Sequence, residues 1–87
     1  MENYIKREML AELQRAGAAV AYTVAGSEHG LFIQVEIGAD TRILQTALGE
    51  TRYFKTLDAV ASTLVSLGVA DAQLKLGVWK PKKIDRS

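Results

Sequence analysis

Hydrophobic residues first recur at the spacing of a helix and then alternate at the spacing of a strand. Ile5, Met9 and Leu13 stand four residues apart, which predicts an amphipathic helix over about residues 3–16. Gly17 follows at the position where a left-handed residue commonly ends a helix. From there the apolar residues recur at every second position, so the pattern predicts that a sheet begins directly after the first helix.

Alternation predicts four consecutive strands, each joined to the next by a short polar turn. They cover about residues 18–25, 31–37, 42–48 and 51–54, and the strand over 31–37 has the clearest alternation. Glycine occurs in each intervening stretch, as is typical of tight turns. Strands joined by such turns are antiparallel neighbours.

A second helix and a last strand complete the pattern. Thr56 is the predicted N-cap, because its hydroxyl can accept a hydrogen bond from an amide of the first turn, and Gly68 ends the helix. Alternation resumes over residues 72–79 and predicts a final strand. Pro81 has no amide hydrogen to donate, so strand pairing should end just before it.

The predicted order α-β-β-β-β-α-β indicates the α+β class. A two-layer sandwich, with a four- to five-stranded antiparallel sheet and both helices on one face, is the economical packing of these elements. Residues 1–79 are expected to form a single domain, and residues 80–87 a basic C-terminal tail. The core is expected to include four strongly patterned residues, namely Ile33, Val35, Leu64 and Leu74.

Composition and charge narrow the class of protein further. The chain has 87 residues, the size of one domain, and no cysteine, so disulfides and thiolate-bound metals are excluded. No apolar run approaches the roughly 20 residues of a membrane-spanning helix, so we expect a cytoplasmic protein with no membrane partner. The formal net charge is +1, but residues 80–87 alone carry +3 and the rest of the chain −2. The cationic charge is therefore concentrated at the C-terminal end.

Ser27, Glu28 and His29 are the one place where the residue types of nucleophilic catalysis stand together. Such catalysis needs a base held against the nucleophile and a third group that orients the base, which adjacent residues of one turn do not provide. We therefore interpret this stretch as a solvated turn. No glycine-rich phosphate loop or carboxylate pair stands out either, so the sequence predicts a non-enzymatic protein without cofactor or metal.

The C-terminal part of the chain carries the candidate binding residues. If the last strand is regular, Lys75, Gly77 and Trp79 share one face of the sheet. Cations interleaved with an aromatic ring are typical of surfaces that contact phosphates and stack on bases. The candidate nucleic-acid-binding residues are Lys75, Trp79, Lys80, Lys82, Lys83, Arg86, Arg52 and Lys55. The alternative is that Trp79 covers the end of the core while its indole N–H finds a partner.

The run Arg52–Ala61, continued by Leu67-Gly68-Val69 and the last strand, resembles small proteins of proteobacterial plasmids and integrative elements that are labelled replication- or partition-associated. The resemblance covers about residues 42–78. It implies an accessory role on a mobile genetic element and carries no functional residues over to this chain. We therefore expect a binding protein whose favoured partner is nucleic acid. The alternative is an inhibitor or adaptor module that binds a host or element protein and has no nucleic-acid role.

A homodimer is a further expectation from the strand pattern. Edge strands are normally protected by charge, proline or pairing, and the predicted strand over 18–25 contains no charged residue. That strand should therefore lie inside the sheet or pair with a second copy of the chain. The strand over 31–37 is expected inside the sheet.

Overall fold

The computed structural model of the protein describes residues 4–17, 20–77 and 79. The chain is of the α+β class, with a five-stranded sheet and two helices. The strands, in chain order, are β1 (Tyr4–Ile5), β2 (Val20–Ser27), β3 (Gly30–Ile37), β4 (Asp40–Leu44) and β5 (Gln73–Lys75). The helices are α1 (Arg7–Arg15) and α2 (Leu57–Ser66). Neither of these two helices in the described part of the chain is long and apolar enough to span a bilayer.

The sheet is mixed, with the strand order β1-β4-β3-β2-β5. The strands β2, β3 and β4 are joined by turns and pair antiparallel, as predicted, whereas β1 pairs parallel with β4 and β5 parallel with β2. The prediction of an antiparallel sheet is therefore wrong for the two outer strands. Each of them is separated from its partner along the chain by a helix and two other strands, and a connection of that length can return the chain in the same direction.

The N-terminal residues form a strand where the sequence pattern predicts the first turn of a helix. Tyr4 and Ile5 pair with Ile43 and Leu44, and α1 begins only at Arg7. The element order is therefore β-α-β-β-β-α-β, not α-β-β-β-β-α-β. Ile5 is buried in the strand just as it would be on the apolar side of a helix, so the spacing of apolar residues cannot separate the two conformations.

The segment after β4 is a turn and not another hairpin strand. The Thr46 hydroxyl accepts a hydrogen bond from the backbone N–H of Glu50 at 3.3 Å. A threonine that bonds the backbone in this way competes with the sheet ladder, and the predicted strand over 42–48 ends at Leu44. The predicted strand over 51–54 is reduced to two isolated bridges, Gln45–Thr51 and Leu31–Phe54.

Both ends of α2 are capped as predicted. The Thr56 Oγ1 atom accepts a hydrogen bond from the N–H of Ala59 at 3.1 Å. At the other end Gly68 has a φ of +86°, and the N–H of Val69 then reaches back to the carbonyl of Leu64 at 3.0 Å. This is the Schellman arrangement, which satisfies carbonyl groups of the last helical turn.

The core lies between the two helices and one face of the sheet, which we call the covered face. Ile33 and Val35 of the central strand are fully buried, as predicted. Leu10 of α1 and Leu64 of α2 belong to the same buried cluster, so both helices pack on this face. Leu74, which the sequence predicts in the core, is 51% exposed, because it lies on the outermost strand β5. We call the opposite side of the sheet the open face, since no helix of the described residues covers it.

Gln14 connects the two helices and the sheet. Its Nε2 donates to the carbonyl of Gly68 at 3.2 Å, and its Oε1 accepts from the Tyr22 hydroxyl at 2.7 Å. Burial raises the pKa of the Tyr22 phenol, so the phenol retains the proton that it donates. A second bond between the helices runs from Arg7 Nη2 to Ser66 Oγ at 2.8 Å. These contacts orient α1 against α2 beside the hydrophobic cluster.

Two glycines of the β2–β3 hairpin lie where other parts of the backbone approach. A Cβ atom placed on Gly26 would lie 1.9 Å from the carbonyl oxygen of Leu76, and one on Gly30 would lie 2.8 Å from the carbonyl oxygen of Phe54. Leu31 and Phe54 exchange two backbone hydrogen bonds of 2.8 and 2.7 Å. The segments after β4 and after β5 therefore both contact the turn end of this hairpin.

The strand β2, which covers most of the uncharged stretch, lies inside the sheet between β3 and β5, and β3 is the central strand. Both positions are among those expected from the sequence. A second copy of the chain is therefore not needed to cover β2. The outer edge on this side of the sheet belongs to β5.

Replacing Leu64 with alanine should destabilise the domain strongly. The Leu64 side chain is buried, so its truncation removes hydrophobic contacts and leaves a cavity, at a cost of about 2–5 kcal/mol. Ser62 is exposed on the same helix, and Ser62→Ala should change the free energy of unfolding by less than about 0.5 kcal/mol. Thermal and urea melts of the two variants measure the difference. Equal midpoints would contradict the packing of α2 on the sheet.

Replacing Gly26 with alanine should displace the segment that carries Trp79. The new Cβ would overlap the Leu76 carbonyl, which is backbone and cannot move alone. Trp79 is the one tryptophan of the chain, so its fluorescence reports this displacement, and we expect a red-shifted emission maximum. Gly38→Ala is the control: its φ of +64° strains an alanine, but nothing lies within 4 Å of that position, so this variant should lose some stability and keep the emission maximum. Unchanged emission in Gly26→Ala would show that the segment does not lie on the hairpin.

Candidate nucleic-acid interface

The open face of the sheet is built from the residues that alternate with core residues. Lys75, Ala25 and Phe32 stand in one row across β5, β2 and β3. Adjacent strands lie about 4.8 Å apart, so the backbones of Lys75 and Phe32 are separated by about 10 Å. Lys75 is exposed and Phe32 is half-buried. A cation and an aromatic ring therefore share this row of the open face.

Three rings cluster at the turn end of the hairpin. The ring centroids of Phe32 and Tyr53 are 6.0 Å apart in an edge-to-face arrangement, and those of His29 and Tyr53 are 5.6 Å apart. Tyr53 is 42% exposed, and His29 is also exposed. We call Phe32, Tyr53 and His29 the aromatic patch. Partly exposed rings of this kind offer surfaces on which a base can stack.

Backbone pairing at Phe54 determines where Tyr53 lies. Phe54 is bridged to Leu31, and its side chain is buried in the core. Successive side chains of an extended segment point to opposite faces, so Tyr53 lies towards the open face, where its ring meets Phe32. Because of this bridge, Phe54 is buried in the core and the adjacent Tyr53 lies at the surface.

Sequence reasoning did not identify the aromatic patch. One signal was present, because Phe32 is an aromatic residue in the polar phase of its strand, whose other members are Gln34 and Glu36. Tyr53 gave no such signal, since its position depends on a single isolated bridge between distant parts of the chain. His29 was predicted only to belong to a solvated turn.

Trp79 does not share a face with Lys75, contrary to the prediction from alternation. The strand β5 ends at Lys75, and Gly77 has a φ of +58°, which breaks the extended conformation. Beyond this point the backbone N–H of Trp79 donates a hydrogen bond to the Leu76 carbonyl at 3.0 Å, and the Trp79 side chain packs against the core. The alternative expectation, in which Trp79 covers the end of the core, therefore describes its position.

The other predicted cations have separate positions. The Arg52 guanidinium lies over the Phe54 ring, with Cζ 5.0 Å from the centroid, in a cation–π contact. Lys55 is exposed in the segment that leads into α2. Four predicted residues fall outside the described part of the chain, namely Lys80, Lys82, Lys83 and Arg86. Among the described residues, Lys75 is thus the predicted cation that the sheet register places in line with the patch.

The Ser27–His29 stretch has the bonding of a polar turn. The Ser27 hydroxyl donates to the Gly30 carbonyl at 3.0 Å and accepts from the backbone N–H of His29 at 3.1 Å. The His29 ring contacts Tyr53. Both hydrogen bonds of the serine oxygen are therefore local and serve the turn.

The opposite end of the open face is acidic. A cleft of about 400 Å³ lies between β2 and the segment that enters β5, and the carboxylates lining it belong to Glu36 and Asp71. Lys75 lies at the other end of β5, in the row of Phe32. The cleft carboxylates and the Lys75 side chain therefore lie at different ends of β5, while the exposed Glu28 lies in the turn that carries His29.

Comparison with known proteins places the chain in a family. A family model described as ParC-like matches residues 5–83, which include both helices, nearly all of the sheet and the aromatic patch. No curated protein and no solved structure matches the chain. The family fits the resemblance to replication- and partition-associated proteins. Because the match extends over nearly the whole sequence, this protein belongs to the ParC-like family.

Proposed function

We propose that this protein is a non-enzymatic accessory protein of a bacterial mobile element, such as a plasmid, and that it acts in the cytoplasm by binding nucleic acid. The ParC-like family supports an association with replication or partition. The observation that carries the proposal is the convergence of the aromatic patch and Lys75 at one end of the open face. The basic residues 80–87 follow Trp79, which packs beside Gly26 at this same end.

The chemistry of the two groups is complementary. Lysine and arginine side chains neutralise phosphates and release their counterions, which supplies affinity. Aromatic rings stack on bases, at about 1–3 kcal/mol for each base. Lys75 supplies a cation in the row of Phe32, Lys55 is exposed two positions after Tyr53, and the tail nets a further +3. The stacking surface is provided by Tyr53, with Phe32 and His29 beside it.

The partner that fits this arrangement best is single-stranded. Bases inside a duplex are already stacked and their faces are not accessible, whereas the bases of a single strand can lie on exposed rings. The acidic end of the open face argues against a protein that coats a long duplex, because Glu36 and Asp71 would repel its phosphates. A short strand that crosses only the end with the aromatic patch avoids those carboxylates.

Removal of the basic tail should weaken binding and reduce its dependence on salt. The test compares the full chain with a chain that ends at Trp79, using fluorescence anisotropy on a labelled single-stranded oligonucleotide at several salt concentrations. Each lost phosphate contact should reduce the slope of log K against log salt by about 0.7. Equal affinity and equal slope for the two chains would contradict a role for the tail. No binding of the full chain at low salt would contradict the proposed function itself.

The aromatic contribution is tested separately at Tyr53. Tyr53→Ala should weaken single-strand binding by roughly 5- to 160-fold, the range expected from the loss of one stacked base. Tyr53→Phe is the matched control, because it keeps the ring and removes only the hydroxyl, and it should bind like the unmodified chain. If both variants bind equally well, the aromatic patch is not the stacking surface.

The second candidate function is a protein-binding inhibitor or adaptor with no nucleic-acid role. The observation that favours it is the charge of −2 on residues 1–79, together with the acidic cleft. Affinity capture from a host lysate, with and without nuclease treatment, separates the two functions. A protein partner retained after nuclease treatment supports the second function, and loss of all captured material supports the first.

A further inference from the structure

We propose that the protein forms a two-fold symmetric dimer by antiparallel pairing of β5 with β5 of a second copy. In the order β1-β4-β3-β2-β5, β5 is an outermost strand, and all three of its residues are exposed. No strand of the described residues pairs with its outer edge, at which another strand can therefore add. The other edge strand, β1, has only two residues and offers a shorter ladder. The inference is independent of the proposed nucleic-acid binding.

The charges on β5 and on the segment directly before it favour one register. When two copies pair antiparallel about an axis through Gln73, Asp71 of each copy stands opposite Lys75 of the other. Opposite charges in directly facing positions stabilise a pair of strands, and like charges destabilise it. An in-register parallel pairing would instead place Lys75 against Lys75. The charges at this edge therefore favour the antiparallel, two-fold symmetric pairing over the parallel one.

The core side of the same edge carries apolar residues that a second copy would cover. Leu74 is 51% exposed and Leu76 44%, while Val65 of the neighbouring helix is 71% exposed. A shallow cleft of about 150 Å³ between α2 and the segment before β5 adds further apolar surface. In the antiparallel register Ala72 stands opposite Leu74 of the partner, so small and large side chains alternate across the axis.

This pairing has a definite geometry. Antiparallel addition at an edge continues the sheet, so the helices of both copies lie on one side and the two open faces on the other. The two aromatic patches then belong to one continuous surface. Lys75 has three N–H donors, so an ion pair with Asp71 leaves donors for a phosphate.

Cross-linking tests the register directly. Gln73→Cys puts one cysteine into a chain that has none, and two facing residues of an antiparallel pair have Cα atoms about 4.5–5.5 Å apart, within disulfide range. We expect oxidation to give a covalent dimer from Gln73→Cys but not from Glu28→Cys, whose exposed position in the β2–β3 turn provides the collision control. Equal cross-linking of the two variants, or none from Gln73→Cys, would overturn the proposal.

Charge exchange tests the attraction without relying on cysteine. Asp71→Lys and Lys75→Asp each place like charges in the facing positions, and both should sediment as monomers. A mixture of the two variants restores opposite charges on both sides of the axis, so it should form heterodimers, and the double exchange within one chain should dimerise again. Circular dichroism verifies that each variant folds. Dimers of the single variants, or monomers of the unmodified chain at high concentration, would overturn the proposal.

Discussion

The arrangement of this protein depends on two places where the backbone of one segment lies directly on the backbone of another. At Gly26 the Leu76 carbonyl occupies the space of a side chain, and at Gly30 the Phe54 carbonyl oxygen would lie 2.8 Å from a Cβ atom, closer than an ordinary contact. Both positions are at the turn end of the β2–β3 hairpin. The hairpin therefore serves as the base on which the segments after β4 and after β5 are located. These two close backbone contacts therefore determine the positions of Tyr53, on the segment after β4, and of Trp79, on the segment after β5.

The same constraint separates two kinds of aromatic residue. Phe54 and Trp79 are drawn towards the core at the end of the hairpin, while Tyr53 is left on the open face with Phe32 and His29. A small domain has few large side chains with which to fill its core, and Phe54 and Trp79 serve this purpose here. The rings available for a partner are those that the core does not use, and none of them lines the cleft that contains Glu36 and Asp71.

Features that depend on neighbouring residues could be predicted from the sequence, whereas strand pairing between residues far apart in the chain could not. The alternation over residues 31–37, the Thr56 cap and the Gly68 terminus each depend on neighbours within a few positions, and each was predicted. The strand Tyr4–Ile5 was missed because only a parallel partner about forty positions away makes it a strand. Leu74 has the apolar phase of a core residue, but exposure at an edge depends on the strand order. The prediction that Trp79 shares a face with Lys75 was wrong because Gly77, with its positive φ, ends the alternation of side chains.

The parallel outer strands also have a consequence for the order in which the molecule assembles. The β2–β3–β4 meander joins residues that are close along the chain, so it can form with little loss of loop entropy. Pairing of β1 with β4, and of β5 with β2, requires long loops to close first, and such contacts are slow to form. The two outer strands are also short, and short strands at an edge open most readily in native-state hydrogen exchange. The meander is thus the persistent part of the sheet, and β1 and β5 join it late and leave it early.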